Sequence, residues 1–130
     1  MSQRAGPATI LVVDDSPLIL DIVADALEER GYRVETTDQP LDCERLLDEL
    51  SPDILVLDIE MPVLDGPSLL QLVRRRHLVD NCHVLLYSDR DHGELTRTIR
   101  ACGADGGAKK TPGCEELISV IESKLGARRS

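Results

Sequence analysis

Two unbroken apolar runs, Ile10-Leu11-Val12-Val13 and Ile54-Leu55-Val56-Leu57, are too short for typical helices and read as strands buried on both faces. The run Val84-Leu85-Leu86 marks another strand over 82–88. Shorter or weaker strands are predicted at 33–36 and 105–109, beside the main ones at 9–13 and 53–58. Between them, apolar residues return at helical spacing. Leu18, Ile19, Ile22, Val23, Ala26 and Leu27 mark the first helix, with Ser16 as cap, Pro17 in its first turn and Gly31 closing it. Asp38 and Pro40 open a second helix with Leu41, Leu46, Leu47 and Leu50 inward, and Ser51-Pro52 breaks it. Pro67 starts a third, carrying Leu69, Leu70, Leu72 and Val73. A fourth spans about 92–102 and stops at Gly103, and Thr111-Pro112 opens the last.

The strand–helix unit therefore occurs five times with short links, which implies a parallel sheet covered by helices on both faces. Ligands of such sheets sit at the carboxyl ends of the strands. Asp14-Asp15 ends the first strand and Asp58 ends the third. Three carboxylates at one sheet edge repel one another unless a cation holds them, and an all-oxygen donor set suits Mg²⁺.

Composition narrows the choices. The 130 residues fit one domain, and 42% hydrophobic content argues for a packed core. Phe and Trp are absent and the only aromatics are Tyr32 and Tyr87, so the core is aliphatic and base-stacking platforms are missing. The net charge of −9 argues against direct nucleic-acid binding. Cys43, Cys82, Cys102 and Cys114 have no zinc-site spacing and are expected to be reduced and mostly buried. No signal peptide and no membrane-spanning stretch is visible, so a cytoplasmic location is expected, with no membrane insertion. His77, His83 and His92 lack ligand spacing, and Arg74-Arg75-Arg76 reads as a solvated helix face.

Four blocks carry a family resemblance. Asp58-Ile59-Glu60-Met61-Pro62-Val63-Leu64-Asp65-Gly66 resembles the phosphoacceptor loop of the CheY-like response-regulator receiver family. Val12-Val13-Asp14-Asp15-Ser16 resembles its acidic pair, Ser88 its strand-four hydroxyl, and Gly103-Ala104-Asp105-Gly106 with Lys110 its strand-five lysine segment. The resemblance spans residues 9–126, after a flexible lead at 1–8 and before a tail at 127–130. It implies a flavodoxin-like, doubly wound (βα)5 fold with a five-stranded parallel sheet in the order 2-1-3-4-5. It also implies that Asp58 accepts a phosphoryl group from a histidine kinase or a histidine phosphotransfer protein. Asp14, Asp15, Asp58 and the Glu60 backbone carbonyl would hold Mg²⁺, while Lys110 and Ser88 would bind phosphoryl oxygens. Such a module is a signalling receiver that alters partner binding, not a turnover enzyme. Either it stands alone, or it is part of a larger protein whose linker begins at Gly126-Ala127-Arg128-Arg129-Ser130.

Three positions depart from the family's pattern. Gly107 stands where an aromatic is usual, so readout is expected through the strand-four loop and the fourth helix. Asp89 replaces a small residue after the hydroxyl. Thr111 follows the lysine in place of proline, so a trans bond is expected there. Lys109 competes with Lys110 for the lysine's role, and Glu60 and Arg90 are expected to pair across the site. A degenerate receiver working only as an interaction module is the alternative. A small phosphohydrolase is a third class, disfavoured because Glu60 stands where that chemistry would want a second aspartate.

Overall fold

The computed structural model describes residues 6–127. Most of the expected lead and tail, 1–5 and 128–130, therefore lies outside the described residues. The strands are β1 (Thr9–Val13), β2 (Arg33–Thr37), β3 (Ile54–Asp58), β4 (His83–Ser88) and β5 (Gly106–Lys109). The helices are α1 (Pro17–Glu28), α2 (Cys43–Leu50), α3 (Gly66–Arg75), α4 (His92–Cys102) and α5 (Glu115–Ala127). All strand pairs are parallel, in the order β2-β1-β3-β4-β5. The expected flavodoxin-like architecture is the observed one.

Alternation along each strand explains why the apolar runs are continuous. Leu11, Leu55, Leu57 and Leu86 pack under α2, α3 and α4. Ile10, Val56, Leu85 and Tyr87 pack under α1 and α5. Both faces of the central strands are sealed, with Leu55 and Leu57 on one side and Ile54 and Val56 on the other at 0% exposure. Truncating either leucine to alanine costs about 2–5 kcal/mol. At the amino ends of the strands two aspartates cap orphan amides. Asp53 accepts from the Thr9 N–H at 2.9 Å and Asp105 from the Val84 N–H at 2.7 Å.

Several boundaries differ from the sequence expectation. α1 ends at Glu28, because the Arg30 and Gly31 amides turn back to the Leu27 and Glu28 carbonyls. Pro40–Asp42 forms a 3₁₀ turn ahead of α2, which leaves Leu41 70% exposed instead of inward. The last helix begins at Glu115, not at Thr111-Pro112. The Cys114 amide donates to the Thr111 carbonyl, and that turn, with Cys114 at φ 59°, separates β5 from α5. Leu18 and Ile22 lie on the outer side of α1, 68% and 39% exposed. Of the four cysteines only Cys43 and Cys114 are buried, and Cys82 and Cys102 are half-buried. Arg74 is not merely solvated, because its guanidinium donates to the Cys102 and Gly103 carbonyls and ties α3 to the end of α4.

Gly107 has a packing reason. A Cβ there would lie 2.8 Å from Ile99 Cδ1 and 2.9 Å from the Leu86 carbonyl oxygen. Helix α4 has closed over β5 into the room that a ring would need.

Candidate functional site

Asp14 follows β1 and Asp58 ends β3, at the same carboxyl edge of the sheet. Ligand oxygens of Asp14, Asp15 and Asp58 lie within 4.8 Å of one another. Asp14 and Asp58 are buried, whereas Asp15 is exposed. Two backbone amides help fix the carboxylates: Ser16 N–H donates to Asp14 Oδ1 at 3.0 Å, and Glu60 N–H to Asp58 Oδ1 at 3.4 Å. Downstream, Gly66 lets α3 close on the site, since any Cβ there would overlap the Asp58 carbonyl oxygen. Asp65, which reads as a plain turn residue in the sequence, caps α3 by accepting the Ser68 N–H at 2.8 Å.

Lys110 reaches into this acidic edge. Its Nζ lies 3.0 Å from Asp14 Oδ2 and 3.3 Å from Asp58 Oδ1. Lys109 points elsewhere and donates to the Asp89 carbonyl at 2.8 Å, so the two lysines take opposite faces as alternation requires. Burial pulls the Lys110 ammonium down, but Asp14 and then Asp58 more than offset this and hold it above its ordinary value. Burial first, and the Asp14 carboxylate second, push Asp58 up to about 6 against the pull of Lys110.

The donor set fits Mg²⁺. Asp14 Oδ2 is buried, and beyond the Lys110 ammonium at 3.0 Å it meets no hydrogen-bond donor among the described residues. A buried carboxylate oxygen with one ammonium beside it and two further carboxylates close by is the arrangement that a hard divalent cation relieves. One ammonium against three carboxylates leaves the edge net negative.

Ser88 ends β4, 2% exposed, and its Oγ accepts the Arg90 N–H at 3.0 Å. Arg90 also donates to Thr98 Oγ1 at 3.3 Å and pairs with Glu60 at 3.2 Å. The expected Glu60–Arg90 pair is therefore present. It spans a cleft lined by Met61, Pro62, Asp65 and Thr98. Asp89 is exposed and lies outside the carboxylate cluster. No peptide bond among the described residues is cis, so Lys110–Thr111 is trans as expected.

Two residues have no expected role at the site in the sequence. Thr98 anchors Arg90 from α4 and carries no local signal. Tyr87 lies under the site, and its hydroxyl donates to Cys114 Sγ at 3.6 Å. Burial and that bond push its phenol up, so it stays neutral. Its signal was its rarity, as one of two aromatics, placed directly before Ser88.

The chain matches the response regulator receiver domain family over residues 10–122. It is 33% identical over 124 residues to the transcriptional regulatory protein TrcR of Mycobacterium tuberculosis, covering 95% of this chain and 47% of that one. It is 36% identical over 123 residues to the sensor kinase CckA of Brucella abortus, covering 93% of this chain and 13% of that one. Against the chemotaxis protein CheY4 of Vibrio cholerae the TM-score is 0.80 at 27% identity, covering 91% of this chain and 98% of that one. The chain thus spans about half the length of TrcR, at 47%, and a small part of CckA. No helix among the described residues is long and apolar enough to cross a membrane.

Proposed function

Because this chain belongs to the response regulator receiver domain family, a signalling module of two-component systems, we propose that Asp58 is its phosphoacceptor. The observation that carries this reading is the Lys110 ammonium lodged between Asp14 and Asp58, at 3.0 and 3.3 Å, on a buried carboxyl edge. The donor would be the phosphohistidine of a histidine kinase or a histidine phosphotransfer protein.

In this reading an Asp58 carboxylate oxygen attacks phosphorus. The oxygen–phosphorus bond forms as the phosphorus–nitrogen bond of the donor breaks, and the imidazole leaves with its electron pair. Asp58 must be ionised to attack, and the Lys110 ammonium favours that form. The ammonium then transfers its attraction to the phosphoryl oxygens. Ser88, whose oxygen accepts the Arg90 amide, donates its hydroxyl hydrogen to one of them. Asp14, Asp15, Asp58 and the Glu60 carbonyl would hold Mg²⁺, which when bound offsets the charge shared by the carboxylates and the phosphoryl group. The same site then releases phosphate to water, so the chain catalyses only its own modification. The modified chain changes its affinity for a protein partner.

Incubation with phosphoramidate and Mg²⁺, followed by intact mass measurement, tests the assignment. One phosphoryl group per chain, absent from Asp58→Asn, is expected. Uptake that persists in Asp58→Asn would contradict it.

A further inference from the structure

Strand alternation sorts the site residues by face. Val12, Val56, Tyr87 and Ala108 all lie in the core under α1 and α5. Asp14, Asp58 and Lys110 stand two residues further along β1, β3 and β5, and so share that side. Tyr87 is the register partner of Asp58 on one flank and of Ala108 on the other. One aromatic ring therefore lies beneath the carboxylate–ammonium cluster, and the Lys110 Nζ stands 5.6 Å from its centroid.

This distance is within cation–π range, and the ring is 2% exposed, so water screens the contact little. The phenol is also fixed at its far end, where the hydroxyl donates to Cys114 Sγ ahead of α5. Lysine has a flexible four-carbon stem. A cleft of about 200 Å³, lined by Tyr87 and Lys110 with Ile19, Ile22, Asp89 and Pro112, leaves room for the stem to swing aside. A leucine at Tyr87 would keep the position apolar but present no negative face to the ammonium.

We propose that Tyr87 is a positioning residue for Lys110, its ring face holding the ammonium against Asp14 and Asp58, so that phosphoryl transfer depends on the ring rather than on the hydroxyl. The proposal rests on the phosphoacceptor reading of Asp58. It goes beyond that reading by giving a strand-four aromatic on the α1–α5 side a part in the chemistry.

The contact is tested first without metal or phosphodonor. In NMR spectra of the unmodified chain, the Lys110 ε-methylene is expected to show an upfield ring-current shift, kept in Tyr87→Phe and lost in Tyr87→Leu. Phosphoramidate-driven modification with Mg²⁺ is measured next. Tyr87→Leu is expected to slow it about 3- to 20-fold, and Tyr87→Phe to rescue it to within about twofold. In a Lys110→Ala background Tyr87→Leu is expected to add nothing, which separates positioning from loosening of the core. Tyr87→Met supplies the same readouts if the leucine variant does not fold. Equal slowing with and without Lys110, or a Lys110 resonance indifferent to residue 87, overturns the role of Tyr87 and leaves Asp58 untouched. A wild-type chain that shows the ring-current shift but takes no phosphoryl group overturns the phosphoacceptor reading itself, and the proposal with it.

Discussion

The Glu60 carboxylate and the Arg90 guanidinium meet at 3.2 Å across the mouth of the acidic edge, joining the β3–α3 loop to the β4–α4 loop. Arg90 is held in turn by Thr98 on α4. The Glu60 side chain is 72% exposed, so the pair contributes little stability, within about 1 kcal/mol. Its expected effect is on water. Glu60→Ala and Arg90→Ala should each shorten the phosphoryl lifetime several-fold with little change in unfolding midpoint. The double variant should be no worse than either alone. Reversing both charges should restore the lifetime, and additive effects of the single changes would count against pairing.

Asp58 makes stability depend on pH in a direction opposite to most carboxylates. Its pKa rises from 3.8 to about 6 on folding, so the folded chain binds more protons than the unfolded one between those values. The stability it contributes is full below the lower value and is lost as pH rises through the upper one. With metal chelated, Asp58→Asn should therefore be more stable than wild type at pH 7, on the order of 1–3 kcal/mol. The gap should close toward pH 4, where both side chains are neutral. Denaturant melts at several pH values check this, and a less stable asparagine variant at pH 7 would refute it.

Mg²⁺ should raise the unfolding midpoint of the wild-type chain at neutral pH. The gain should reach about 2–3 kcal/mol once the ion exceeds its dissociation constant a hundredfold. Asp14→Asn should abolish it, because Asp14 supplies a buried carboxylate oxygen to the cluster with Asp15 and Asp58. Thermal melts with Mg²⁺ and with a chelator give the comparison. Equal Mg²⁺ stabilisation of the two chains would mean that the ion binds elsewhere.

How far these features were legible in the sequence depended on whether neighbours in the chain carried them. Ile54 to Leu57 could only be a strand sealed on both sides, and Asp58 followed as its end. The motif order favoured Lys110 over Lys109, and in the structure the Lys110 ammonium is the one that pairs with Asp58. Features set by distant packing were hidden. Leu41 looked inward by spacing, but Pro40 starts a 3₁₀ turn that rotates it into solvent. Thr111-Pro112 looked like a helix start, but the turn closed by the Cys114 amide delays α5 to Glu115. Tyr87 was visible as a rare aromatic, yet its place under Lys110 needed the β3–β4–β5 register.

Gly107 was legible as a departure from the family, but its reason was not. The structure shows Ile99 and the Leu86 carbonyl within 3 Å of where a Cβ would stand. Gly107→Ala should cost about 1–3 kcal/mol by overpacking, and Gly107→Tyr more. Neither should leave the α4–β5 packing unchanged in NMR spectra. A Gly107→Tyr chain as stable as wild type would show that α4 yields readily, and that a ring could move there after all.

Asp58, set beside Lys110 and Asp14, is expected to take the phosphoryl group. The most direct measurement is the mass and lifetime of the modified chain after exposure to phosphoramidate with Mg²⁺, for wild type, Asp58→Asn and Lys110→Ala. The expected result is one phosphoryl group on wild type, none on Asp58→Asn, and slow incorporation on Lys110→Ala. No incorporation on wild type with Mg²⁺ bound, or incorporation indifferent to both substitutions, would contradict it.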